Sequence, residues 1–123
     1  MIKKKTAPSY EVKFYIGSRE NYCGKKFKLD YLLDMIEKFQ VAQAQLFPVR
    51  VTKTGYKAGD YFEPGFELAV INYARRLHSN AELSDFMHSL ARHLLVVLRQ
   101  NRVTVVEPME TTTYEHINAV EKP

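Results

Sequence analysis

The sequence predicts an α+β domain of the ferredoxin-like class, βαββαβ, in which a four-stranded antiparallel sheet carries two helices on one face. Two segments with apolar residues at spacings of three and four predict the helices, and four short segments rich in alternating apolar residues predict the strands. Their order along the chain is strand, helix, strand, strand, helix, strand. With right-handed crossovers this order closes into a sheet with the strand order 4-1-3-2.

The first half of the chain contains a strand, a helix and a second strand. From Tyr10 to Ile16 apolar and polar residues alternate, which predicts a half-buried strand. Apolar residues between Leu29 and Leu46 recur at helical spacing, and this first helix is expected to end before Pro48. Residues 48–54 predict a strand that begins at a proline, a position that suits the edge of a sheet.

The second half supplies the remaining elements. Residues 55–65 contain several Gly and Pro residues, which predict a long connection. A third strand is expected over residues 66–73, followed by the longest helix of the chain over residues 79–100. Ser79 and Glu82 fit a capping box at the start of that helix. Residues 103–106 predict the last strand, which is expected to stop at Pro108.

Size and composition indicate one domain. Of 123 residues, 46% are hydrophobic and 26% charged, which is typical of a globular chain. We expect a disordered tail over residues 1–9, a single domain over residues 10–107, and an arm or tail over residues 108–123. The single cysteine, Cys23, excludes an internal disulfide, and neither a signal-peptide pattern nor a membrane-spanning apolar run is present. These features predict a cytoplasmic protein that does not enter a membrane.

Charge and topology together predict a ligand site at one end of the sheet. The formal net charge is +4, which favours an anionic partner. The loop after strand one, the hairpin between strands two and three, and the turn before strand four share this end, together with the start of the first helix. The sequence therefore predicts a binding module for a phosphate- or nucleotide-like ligand. The predicted ligand-binding residues are Arg19, Lys25, Lys26, Lys28, Tyr56, Lys57 and Arg102. The alternative is a solvated loop cluster whose aromatic residues only anchor the hairpin.

The face of the sheet opposite the helices provides a second candidate site. Residues predicted to lie on it include Lys13, Tyr15, Glu67, Ala69 and Ile71, a mixture too apolar for a fully wet surface. Either a second copy covers this face and forms a homodimer, or the face holds a ligand cleft. In the second case Tyr15, Glu67 and Tyr73 are candidate catalytic groups of a small enzyme. Whether the protein is an enzyme stays open at this point.

Two short motifs bear on nucleotide binding. Phe14-Tyr15-Ile16-Gly17-Ser18 resembles the first-strand motif of the RNA-recognition family, and this resemblance implies single-stranded nucleic-acid binding with Tyr15 at the base-stacking position. The third strand offers Leu68 where that family has an aromatic residue. Six residues separate Gly17 from Gly24-Lys25, whereas the P-loop pattern has four between its glycines, so we exclude a phosphate-binding P-loop.

No metal or cofactor site is predicted. His88 and His93 lie five residues apart on the second predicted helix, whereas two ligands on one helical face need a spacing of four.

Overall fold

The computed structural model describes residues 1–22 and 24–119; Cys23 and residues 120–123 lie outside this part. The strands are β1 (Glu11–Gly17), β2 (Arg50–Ala58), β3 (Tyr61–Ile71), β4 (Arg102–Glu107) and β5 (Glu110–Glu115). The helices are α1 (Leu29–Gln43) and α2 (Asn80–Val97). The strands form one sheet with the order β2-β3-β1-β4-β5, and each neighbouring pair is antiparallel.

The predicted class, two helices with an antiparallel sheet, is confirmed, but the predicted number of strands is wrong. The four predicted strands keep the order 4-1-3-2, and β5 is added beside β4. It lies within the segment that we expected to be an arm or tail. Pro108 does end β4, but it does so inside a two-residue turn, because Glu107 pairs directly with Glu110. The β-branched and aromatic residues of β5 then pair along β4, as such residues favour.

The prediction of a long connection over residues 55–65 is also wrong. Strands β2 and β3 continue to Ala58 and Tyr61, so that only Gly59 and Asp60 form the turn. Gly59 has φ of 61°, the conformation for which a turn uses glycine. Gly55 is a strand residue instead, and a Cβ there would lie 2.5 Å from the Phe62 ring. Glycine at this position therefore marks close packing by a neighbouring ring, not a break in the strand.

The core lies between one face of the sheet and both helices. Alternate residues of β1, namely Val12, Phe14 and Ile16, join one buried cluster with Leu32 of α1 and Leu90 of α2. Because side chains of a strand alternate between faces, the remaining residues of the central strands point to the opposite, open face. This open face carries the candidate site.

Helix α2 begins with the predicted capping box. The Glu82 backbone N–H donates to Ser79 Oγ at 3.1 Å, and the Ser79 backbone N–H donates to Glu82 Oε1 at 3.0 Å. Two backbone donors that no helical carbonyl can reach are thus satisfied. The two bonds also hold the pKa of the Glu82 carboxyl below its usual value of 4.5.

A polar network closes the edge of the core beside β5. Glu107 Oε1 accepts hydrogen bonds from the Tyr10 hydroxyl at 2.7 Å and the Ser84 hydroxyl at 2.8 Å. His88 places Nε2 2.7 Å from Glu107 Oε2 and Nδ1 2.7 Å from the Tyr114 hydroxyl. Burial raises the pKa of the Glu107 carboxyl, but the hydrogen bonds outweigh burial and bring the pKa below its usual value. The network therefore ties α2 to both β4 and β5.

In residues 1–22 and 24–119, neither helix has the length and apolar character needed to cross a bilayer.

Candidate functional site: a groove on the open face of the sheet

The open face carries a groove with a volume of about 240 Å³, hereafter the open-face groove. It crosses β3, β1 and β4, with contributions from β2 and from the loops before α1 and β4. The residues that line it are Lys13, Phe14, Tyr15, Gly17, Tyr22, Tyr56, Glu63, Glu67, Gln100, Arg102, Thr104 and Val106.

Strand register brings the central groove residues together. Tyr15 of β1 lies opposite Glu67 of β3, and Tyr56 of β2 lies opposite Glu63 of β3. Glu63 and Glu67 are four residues apart on one strand, so both side chains point to the same face. The groove thus places two carboxylates beside two tyrosines.

Two glycines that pair across β1 and β3 make room for these side chains. A Cβ at Gly65 would lie 2.5 Å from the Tyr15 hydroxyl oxygen, and a Cβ at Gly17 would lie 2.9 Å from Glu63 Oε2. Both distances are shorter than real Cβ contacts allow. The absence of two side chains therefore lets the Tyr15 ring and the Glu63 carboxylate lie flat against the sheet.

Tyr15 is fixed at the centre of the groove. Its hydroxyl donates to the Glu63 carbonyl oxygen at 2.8 Å, and its ring packs edge to face on Tyr56 with centroids 4.5 Å apart. Burial of the Tyr15 phenol, and secondarily the negative charge of Glu63, raise its pKa well above the usual value of 10.0. The hydroxyl therefore stays protonated at neutral pH.

The buried side-chain amide of Gln100 supports the groove at the end of β1. Gln100 is 7% exposed, and its Oε1 accepts from the Gly17 backbone N–H at 3.1 Å. Its Nε2 donates to the Arg19 carbonyl at 3.1 Å and the Leu98 carbonyl at 3.2 Å. The amide thus fastens the end of β1, the loop that follows it and the turn before β4 to one another.

The charges of the groove balance. Glu63 and Glu67 face Lys13 and Arg102, and three tyrosines lie among them. Glu63 is only 9% exposed, so one of the carboxylates lies in a poorly hydrated position. Such a lining suits a ligand that carries an aromatic ring and charges of both signs better than it suits a phosphate.

The sequence-predicted residues divide between this groove and other surfaces. Tyr15, Glu67, Tyr56 and Arg102 line the open-face groove. Tyr73 does not: it lines a separate depression with Phe47, His78 and other residues at the far end of the sheet.

The basic side chains are not gathered at one point either. Lys25, Lys26 and Lys28 line a depression on the helix side, where Glu20 and Asp30 accompany them. Arg19 donates to the Gly24 carbonyl at 3.4 Å within its own loop. Lys57 lies exposed near the tip of the β2–β3 hairpin. The residues predicted to cluster at one end of the sheet therefore do not share one surface. Tyr56 and Arg102 line the open-face groove, and the three lysines line the helix-side depression.

Eight of the twelve groove residues were not predicted as site residues, among them Glu63, Tyr22 and Gln100. The alternation that places Glu67 on the open face extends to Glu63, so a longer third strand would have included it. Tyr22 and Gln100 lie in loops, for which strand alternation gives no signal.

Among residues 1–22 and 24–119, no three His, Cys, Asp or Glu side chains are grouped so that they could hold a metal ion.

Comparison with known proteins gives two matches in three dimensions. A phage SAM lyase in its apo state superposes with a TM-score of 0.74 at 10% sequence identity, over 95% of this chain and 98% of that chain. A phage SAM lyase in complex with S-methyl-5′-thioadenosine gives a TM-score of 0.65 at 11% identity, over 94% and 96% of the two chains. No protein-family model matches the sequence, and comparison with the sequences of curated proteins finds no match. At such low identity the two likenesses establish a shared fold.

Proposed function

We propose that this protein binds S-adenosylmethionine (SAM) in the open-face groove and acts as a SAM-cleaving lyase. The observation that carries the proposal is the lining of the groove, in which two carboxylates and three tyrosines lie together on the open sheet face. The end-to-end likeness in fold to a phage SAM lyase supports it, since little of either chain lies outside the match.

The charge of the ligand fits the acidic side of the groove. SAM carries a sulfonium, and the carboxylates of Glu63 and Glu67 attract that positive charge. The faces of tyrosine rings attract it as well, because their π electrons present negative potential. Lys13 lines the same groove and pairs naturally with the carboxylate of the methionine part.

The nucleoside half of the ligand fits the aromatic side. Adenine stacks favourably on tyrosine rings, and Tyr15, Tyr22 and Tyr56 provide such rings. A neighbour in fold holds S-methyl-5′-thioadenosine, which is the part of SAM that combines the nucleoside with the sulfur.

The reaction that we propose breaks the bond from the sulfonium to the four-carbon amino-acid chain. The bonding electrons go to sulfur, which becomes the neutral thioether of S-methyl-5′-thioadenosine. A lyase uses no water, so the four-carbon fragment follows one of two routes. Its own carboxylate oxygen bonds to the carbon that leaves sulfur and closes a ring, or the fragment gives a proton to a carboxylate of the groove and gains a double bond. The groove contributes chiefly by orienting the sulfonium and the carboxylate of one substrate against each other.

Incubation of the purified protein with SAM tests this proposal. Mass spectrometry is expected to detect S-methyl-5′-thioadenosine together with a fragment lighter than homoserine by one water. The Glu67→Gln variant is expected to lose most of this activity, while Glu37→Gln, on the exposed side of α1, serves as the matched control. Intact SAM after prolonged incubation would overturn the lyase, and release of homoserine would indicate hydrolysis instead.

We further propose that the protein is a homo-oligomer in which a second copy covers part of the open face. Val106 is 39% exposed on this face, beside a groove that is open to solvent. Light scattering at micromolar concentration tests this: a monomeric mass contradicts it.

A second candidate function concerns the basic depression. Lys25, Lys26 and Lys28 line a cavity of about 420 Å³ that also contacts the end of α2. This arrangement favours an anionic ligand, either a phosphate-bearing small molecule or single-stranded nucleic acid. The wild type is expected to bind a single-stranded oligonucleotide with an affinity that falls as the salt concentration rises. Replacement of both Lys25 and Lys26 by glutamate is expected to abolish this binding and to leave SAM binding unchanged. Equal oligonucleotide affinity of the variant and the wild type contradicts it.

A further inference from the structure

Tyr22 lies where the loop between β1 and α1 reaches the open-face groove. Asn21 and Tyr22 have φ values of 47° and 69°, the left-handed region that residues with a Cβ seldom adopt. Asparagine tolerates this conformation, whereas a tyrosine held in it stores backbone strain. Such strain persists only where the surroundings fix the conformation, and it concentrates at functional sites.

Hydrogen bonds within the loop and to its neighbours fix the conformation. Within the loop, the Gly24 backbone N–H donates to the Glu20 carbonyl at 2.6 Å. The Asn21 backbone N–H donates to the Arg99 carbonyl at 2.8 Å. Arg102 Nη1 donates to the Tyr22 hydroxyl at 2.8 Å, and Arg102 Nε donates to Glu115 Oε2 at 2.6 Å. The position of Tyr22 thus depends on β4 and, through Glu115, on β5.

The sheet geometry places Tyr22 opposite the other groove tyrosines. Tyr56 stands on β2, and the Tyr22 hydroxyl is bound at β4, which follows β3 and β1 in the sheet. Three strand spacings, about 14 Å, separate β2 from β4. This distance is wide enough to admit a planar ring between Tyr56 and Tyr22. Tyr15 and Tyr56 pack edge to face on each other, so these two rings already form one wall.

We propose that Tyr22 is a ligand-binding residue whose ring stacks on the nucleobase, and that Arg102 and Glu115 are positioning residues which hold that ring in place. This inference rests on the proposed function and deepens it, because it separates recognition of the base from attraction of the sulfonium. It also gives β5 a role in ligand binding, since β5 carries Glu115.

Titration calorimetry with S-methyl-5′-thioadenosine tests the inference. Tyr22→Leu, which keeps bulk but removes the aromatic ring, is expected to weaken binding about tenfold, the usual effect of losing one stacked base. Tyr22→Phe, which keeps the ring, is expected to bind more tightly than Tyr22→Leu. Tyr73→Leu is the matched control, because Tyr73 is an exposed tyrosine outside the groove.

A double-mutant cycle separates positioning from a merely structural role. Glu115→Ala is expected to weaken nucleoside binding when Tyr22 is present and to have no effect in the Tyr22→Leu background. Equal weakening in both backgrounds overturns the positioning role of Glu115.

Binding by Tyr22→Leu as tight as that of the wild type overturns the inference while the proposed function stands. If the wild type binds neither this nucleoside nor SAM, both are overturned. If Tyr22→Leu does not fold, Tyr22→Phe replaces it in the cycle, because it lacks the hydroxyl that Arg102 contacts. If Glu115→Ala no longer weakens nucleoside binding in the Tyr22→Phe background, the contacts from Glu115 through Arg102 to Tyr22 are supported. If Glu115→Ala still weakens binding there, the positioning role of Glu115 is overturned.

Discussion

The Tyr15 hydroxyl donates a hydrogen bond to the Glu63 carbonyl oxygen at 2.8 Å, so that a side chain of β1 caps the backbone of β3 inside the open-face groove. The bond lies directly over Gly65, the one residue type that leaves space for the ring. Strand pairing and groove shape are therefore set by the same contact.

Tyr15→Phe is expected to lower the free energy of unfolding by about 1 kcal/mol, because a partly buried carbonyl loses its donor. The ring remains, so the affinity for S-methyl-5′-thioadenosine is expected to change less than threefold. Chemical denaturation and titration calorimetry measure the two effects. A large loss of affinity with unchanged stability contradicts this account of Tyr15.

Gly65→Ala is expected to destabilise the protein by about 2 kcal/mol, since the new methyl group meets the Tyr15 hydroxyl and the Ile16 carbonyl. Gly59→Asn is the control. Gly59 has positive φ, unlike Gly65, but nothing lies within 4 Å of a Cβ there, and asparagine tolerates this conformation. Thermal denaturation is expected to separate the two variants by several degrees; equal melting temperatures would mean that Tyr15 does not occupy its position over Gly65.

Glu67→Gln is expected to weaken binding of SAM about tenfold, which corresponds to about 1.4 kcal/mol. It is expected to leave binding of S-methyl-5′-thioadenosine nearly unchanged. The reason is charge: SAM is a sulfonium, whereas the product is a neutral thioether. Calorimetry with both ligands measures the difference, with Glu37→Gln as the control. Equal loss for both ligands shows that Glu67 acts through shape and not through charge.

The hydrogen-bonded carboxyl of Glu107 predicts a pH dependence of stability. Its pKa is lower in the folded chain than the usual 4.5, so the folded state binds fewer protons than the unfolded state as pH falls below that value. The stabilisation is complete above pH 4.5 and is lost as pH falls through the lowered pKa. Glu107→Gln is expected to be less stable by about 2 kcal/mol at neutral pH and to lose less on acidification.

Urea denaturation between pH 3 and pH 7 measures this effect. Glu110→Gln, an exposed carboxyl on the neighbouring strand, is the control and is expected to follow the wild type. If Glu107→Gln shows the same acid sensitivity as the wild type, other carboxyls are responsible.

Much of the fold could be predicted because alternation and helical spacing are local signals. The face assigned to Tyr15 and Glu67 agrees with their strand register, and the cap at Ser79 is confirmed. The additional strand β5 was not predicted, since its consecutive threonines show no apolar alternation and gain their partner only from β4.

The site was harder to predict because spatial proximity at one end of a sheet does not specify a face. Lys25 and Arg102 belong to the same end, yet one lines the helix-side depression and the other the open-face groove. Gly65 was interpreted as a break, whereas it makes room for Tyr15. Tyr22 reaches the groove through two left-handed residues that sequence pattern does not reveal.

A crystal structure of the protein with S-methyl-5′-thioadenosine tests the central claim most directly. The account predicts density for the nucleoside in the open-face groove, with its base against a tyrosine ring and its sulfur next to Glu67. Density only in the depression lined by Lys25 and Lys26, or elsewhere on the surface, would contradict it.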